Sequence, residues 1–123
     1  MMSTTFIHTR DCVRNRVAGA GEVAEILNSK LCGAKNVLGM LRWLKGDDRL
    51  APPPKAATHQ LLYLMEGEGV ITLNGKDYDV GRGAGVYLGP NETATIRPSG
   101  KGTVKLFHLV VPEVKDATAG RAA

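Results

Sequence analysis

Asn74-Gly75 stands between Val70-Ile71-Thr72-Leu73 and Tyr78-Asp79-Val80, and no other short feature limits the fold of this chain so strongly. A two-residue connection between extended segments closes as a type I′ turn, which needs positive φ at both central residues and so selects Asn-Gly. A β-hairpin is predicted there. The same punctuation continues on both sides: Leu61 to Met65, Val86 to Leu88, Thr93 to Ile96 and Val104 to Val111 are short apolar runs bounded by Gly, Pro, Asn or Asp, as strands are. Glu66-Gly67-Glu68-Gly69 is predicted to be a sharp corner between two strands, because glycine lets the backbone turn where a side chain would not fit. Gly81-Arg82-Gly83-Ala84-Gly85 lacks both the GxGxxG spacing and a following helix, which excludes a nucleotide loop. The second half is read as all β.

The first half gives a weaker signal. Gly21 to Cys32 places Val23, Ile26, Leu27 and Leu31 at helical spacing, and propensity alone predicts a short helix. Val37 to Leu44 is a continuous apolar run that ends at Gly46-Asp47-Asp48 and suits a buried strand leading into a turn. Pro52-Pro53-Pro54 must be extended, since proline lacks an amide donor and restricts the residue before it.

With 123 residues, 43% of them hydrophobic and 23% charged, the chain is sized for one globular domain and is too apolar for disorder. The expected domain spans 1–123, with a core from about 22 to 112, an N-terminal extension over 1–21 and a frayed tail over 113–123. The formal charge of +4 is spread from Arg10 to Arg121 without a dense basic block or an aromatic platform, so no nucleic-acid partner is expected. Cys12 and Cys32 form neither a CxxC pattern nor a disulfide framework. Met1 to Arg16 lacks the apolar core of a signal peptide, and no run approaches the length of a membrane span. A soluble cytoplasmic protein is the expectation.

The phrase His59-Gln60-Leu61-Leu62-Tyr63-Leu64-Met65-Glu66-Gly67-Glu68-Gly69, followed by Leu73-Asn74-Gly75 and then Gly81 to Pro90, resembles the small single-domain cupins, of the RmlC-like, cupin-2 type. The likeness runs from about Val37 to Pro112. It implies an all-β, double-stranded β-helix (a cupin jelly-roll barrel), and it implies that Glu22 to Asn28 pairs in a sheet instead of forming the helix that propensity suggests. Metal-dependent cupins hold a divalent ion with an HxH pair, a glutamate and a final histidine. Those positions fall here on Pro53 and Lys55 (or Pro54 and Ala56), on Gln60 and on Ala94. Proline and alanine side chains coordinate nothing, and a protonated lysine repels a cation. The resemblance therefore implies a barrel whose usual metal site is dismantled, with no cofactor expected and a divalent transition metal as the alternative.

The candidate residues follow from that barrel. Gln60 and Leu62 alternate onto one face of their strand and are expected to face a ligand cavity, with Lys55, Tyr63 and Tyr87 as further ligand contacts. His108 shares a face with Val104, Leu106 and Val110. Its ordinary pKa near 6.5 suits a general acid or base, so it is the catalytic candidate and is expected to meet Gln60 across the cavity. His59, next to Gln60, should point the opposite way. His59, Gln60 and His108 are the reserve set for an atypical metal site. His8 is read as a solvated residue near the terminus. Two functions follow: a barrel that binds a small organic molecule, or a small-molecule enzyme (isomerase, lyase, cyclase or hydrolase) acting through His108. Strands apolar on both faces, such as Leu61 to Met65 and Phe107 to Val111, predict a homodimer.

Overall fold

A computed structural model describes residues 7–28, 31, 33, 36–52 and 56–112. Lys55, Cys32 and the tail after Pro112, named above, lie outside the described residues. After a short 3-10 turn (Thr9–Asp11), nine strands follow: β1 (Asn15–Val17), β2 (Gly21–Leu27), β3 (Leu38–Leu44), β4 (Thr58–Glu66), β5 (Gly69–Leu73), β6 (Lys76–Val80), β7 (Gly85–Leu88), β8 (Thr95–Pro98) and β9 (Val104–Pro112). They form a six-stranded sheet in the order β1-β2-β3-β9-β4-β7 and a three-stranded sheet in the order β6-β5-β8. Every named pairing is antiparallel. This is the all-β jelly roll that the glycine punctuation and the cupin resemblance imply.

Segment 21–27 is strand β2, so the helix suggested by propensity is overturned. Glu22 to Leu27 pairs along β3, and burial of Ala24 in the sheet outweighs a local preference worth only tenths of a kcal/mol per residue. The Asn74-Gly75 hairpin forms as predicted, joining β5 to β6 with φ of 51° and 79° at its two central residues. The Gly67 corner carries the chain from the large sheet into the small one. Gly67 has φ of +89°, and a Cβ there would lie 2.5 Å from the Thr103 carbonyl oxygen. Both the conformation and the space require glycine.

The inner faces of the two sheets meet in a core of Leu44, Leu62, Leu64, Leu88, Val104 and Leu106 against Ile71 and Ile96, completed by Leu50 and Ala94 from the connections. This end of the barrel is filled. The space left among Leu62, Leu64, Ile71, Val80, Ala84, Val86 and Ile96 is about 10 Å³, room for one water at most.

Two glycine substitutions separate conformation from space. Gly75→Ala meets no atom within 4 Å and is expected to cost about 1 kcal/mol, for the left-handed backbone alone. Gly67→Ala adds a collision with backbone and is expected to cost about 3 kcal/mol, at the upper end for a strained position. Urea midpoints at constant m-value measure both.

Candidate functional site

The site is built by register. β9 lies between β3 and β4, with Met40 opposite His108 and Arg42 opposite Leu106 on one side, and Leu62 opposite His108 and Gln60 opposite Val110 on the other. Directly paired residues in antiparallel strands project to the same face, and diagonal neighbours remain within reach of long side chains. Arg42, His108 and Gln60 consequently form one polar row across three strands, on the face that carries Leu106, Leu62 and Leu64. It lies one step beyond the filled apolar end.

The hydrogen bonds in this row have a defined direction. Arg42 Nε–H donates to His108 Nδ1 at 3.0 Å. A nitrogen that accepts carries no proton in the neutral ring, so the proton lies on Nε2, which donates to Gln60 Oε1 at 2.7 Å. His108 and Gln60 are both buried. They meet as diagonal neighbours on adjacent strands, not across the cavity as the sequence suggested. Gln60 has spent its oxygen on His108, and its amide nitrogen has no partner among the described residues. Arg42 makes one further bond, from Nη2 to the Met40 sulfur at 3.5 Å. Burial lowers the Arg42 pKa from its ordinary value, yet a guanidinium remains charged at any physiological pH.

The other predicted residues are distributed by the strand alternation. Leu62 faces inward beside the row, buried in the core. Tyr63 and Tyr87 lie on the opposite face from the polar row and are 42% and 61% exposed, because each is one residue out of phase with the inner set; Tyr87 borders a separate hollow of about 340 Å³ with Leu73, Asn91 and Glu92. His59 shares that outer side, where its Nδ1 lies 2.6 Å from the Tyr87 hydroxyl and the two rings stack. The reserve trio is therefore split, with His59 on the opposite face from Gln60 and His108. Ala94, at the position of the family's last metal-binding histidine, is buried in the apolar core. Among the described residues no three His, Cys, Asp or Glu side chains are placed to hold a metal ion. In the row itself, one His108 nitrogen faces a guanidinium and the other carries a proton, so neither offers a lone pair to a cation. The donors present do not fit the usual cupin metal.

Arg42 is the member that the sequence reading missed. Its signal is a single charge inside Leu38-Gly39-Met40-Leu41-Arg42-Trp43-Leu44, in phase with Met40 and Leu44. Near it, a cavity of about 750 Å³ lies between the N-terminal segment (Ile7, His8, Asp11, Cys12, Val13, Asn15) and β2, reaching Asn28 and Leu31. Its β2 walls, Val23 and Glu25, are the cross-strand partners of Arg42 and Met40. The cavity and the polar row thus share one face of the large sheet.

The AraC-like ligand binding domain family matches residues 45–121, a span that contains both Gln60 and His108. The chain belongs to this family. No curated protein matches the sequence significantly. Solved cupin domains show the AraC-like ligand binding domain here to have the cupin fold. A predicted oxalate decarboxylase from Thermotoga maritima superposes with a TM-score of 0.76 at 19% identity, over 88% of this chain and 99% of that one. KdgF from Halomonas sp. gives 0.75 at 10% identity, over 93% and 98%. The polyketide cyclase RemF from Streptomyces resistomycificus gives 0.72 at 19%, over 89% and 80%. At these identities the likeness concerns the fold.

His108→Leu removes both ring bonds, leaving the Gln60 oxygen buried without a partner and the half-buried Arg42 Nε–H to solvent. It is expected to destabilise by about 1–3 kcal/mol, the cost of one orphaned buried group. His59→Leu, on the outer face, is expected to change stability by less than about 1 kcal/mol. Chemical denaturation distinguishes the two.

Proposed function

We propose that this AraC-like ligand binding domain is a cytoplasmic, homodimeric cupin barrel that binds a small organic molecule on its inner face, against Arg42, His108 and Gln60, without the usual family metal. The observation that carries this reading is the buried Gln60 amide nitrogen. It has no protein partner among the described residues, and a buried N–H group is met by water or by a ligand. A cavity of about 750 Å³ on the same sheet face, lined through β2 by Val23 and Glu25 and not by the row residues themselves, is within the size range of small-molecule sites. That the other end of the barrel is filled, with only about 10 Å³ left there, supports this row as the place for it.

The alternative is an enzyme that uses His108 as a general acid or base. Both ring nitrogens are already engaged with Arg42 and Gln60, so proton transfer would first have to break one of those bonds. Binding is the reading that leaves the row intact. For the dimer, the support is the outer face, where Leu41, Leu61, Tyr63, Tyr87, Phe107 and Leu109 come together through the registers of β3, β9, β4 and β7.

Three measurements follow from this proposal. A thermal-shift screen of sugars, amino acids and small organic acids is expected to give compounds that stabilise the protein and lose their effect in Gln60→Leu. Binding unchanged in that variant would place the ligand elsewhere. Elemental analysis of untagged protein purified without chelator should find transition metal well below one equivalent. A stoichiometric metal that disappears in His108→Leu would replace the proposal with a metal-dependent enzyme. Light scattering should give twice the 13.1 kDa chain mass, falling to one chain in Leu61→Glu.

A further inference from the structure

The hydrogen-bond direction of the row specifies the ligand chemistry. From Arg42 through His108 to Gln60, each bond runs donor to acceptor, and the groups left over are donors at both ends. Arg42 keeps its Nη1 hydrogens, and Gln60 keeps its amide hydrogens. An acceptor-rich molecule is the complement of such a row.

Charge narrows the class further. The described ion pairs are Arg14 with Glu22, Arg16 with Asp48, and Arg97 with Asp77. Arg42 takes part in none of them. Its partners are a neutral imidazole and a thioether. Glu25, the carboxylate opposite Met40 on the same face, accepts instead from the Asn28 amide at 2.7 Å. A half-buried guanidinium with only neutral partners is incompletely compensated, and an oxyanion supplies what is missing through paired, charge-assisted hydrogen bonds. Resting on the proposed binding role, the geometry points to a small organic acid as the ligand. Its oxyanion, carboxylate or phosphate, sits on the Arg42 guanidinium, and a second acceptor oxygen is directed to the Gln60 amide.

The test uses three matched probes: 4-hydroxybenzoate, 4-hydroxyphenyl phosphate and the uncharged 4-hydroxybenzamide. Each is titrated into the full chain while the Arg42 Nε–H and Gln60 side-chain amide signals are followed by NMR. At least one anion is expected to shift both signals saturably, and the amide to bind at least tenfold more weakly. The tighter anion tells carboxylate from phosphate. Arg42→Gln should weaken anion binding at least tenfold and close the gap to the amide. Should that variant not fold, Gln60→Glu keeps an acceptor for His108 and replaces the amide donor with a like charge, and should weaken the anions equally. The inference is overturned if the amide binds as tightly as the acids, or if the folded variant binds them unchanged. Either result leaves the barrel a binding protein for neutral molecules. If no probe moves either signal at millimolar concentration, the inner-face binding role itself is lost.

Discussion

The two-residue period of the β-strand, held in register across β3, β9 and β4, is the constraint on which everything else here depends. Leu44, Leu62, Leu64, Val104 and Leu106 close one end of the barrel only while their strands keep phase, and the same phase brings Arg42, His108 and Gln60 into one row. A slip of one residue would exchange the faces. The outer set is almost as apolar as the inner one, so hydrophobicity alone does not choose between them. Turns and corners do: the Asn74-Gly75 hairpin fixes β5 against β6, and the crowded Gly67 corner fixes where β4 ends.

Within that frame the polar row is a costly feature. Three polar side chains on the inner face give up hydration, and the two bonds between them return only part of it. An all-apolar row of similar volume would pack the barrel through to its far end. The chain instead keeps a half-buried cation without a carboxylate and a buried amide without an acceptor, just where the filled core stops. Structures tolerate such groups where they serve a site, and the proposed binding role rests on that physical contrast.

Most of the fold was legible because its signals are local. Asn-Gly, the Gly-Glu-Gly corner and short bounded apolar runs each have one main structural meaning, and the strands of the second half lie where those signals put them. Segment 21–27 was legible only through its family resemblance, since its apolar spacing satisfies a helix and the sheet overrides it. At the site, the alternation around His59 and Gln60 and the shared face of His108 could be read from sequence. That Gln60 and His108 lie diagonally on adjacent strands could not, because the pairing of β4 with β9 joins segments some fifty residues apart. Arg42 went unnoticed because an arginine inside an apolar run looks like an interruption until a neighbouring strand supplies its partner. Tyr63 and Tyr87 were assigned to the cavity for their chemistry, and the phase of their strands places them outside.

β9 follows every other described strand in the chain, yet it occupies the interior of the large sheet and bridges β3 to β4. During synthesis those two strands have no hydrogen-bonding partner between them until residues 104–112 have been made, so the large sheet cannot assemble progressively from its N-terminal side. Closure must wait for the most distant contacts in sequence, which makes for slow folding. The nascent chain meanwhile carries unpaired strand edges and two apolar faces, the condition in which partly folded β proteins associate wrongly. The Asn74-Gly75 hairpin needs nothing distant and can form early, leaving the insertion of β9 as the late step that completes both the sheet and the polar row.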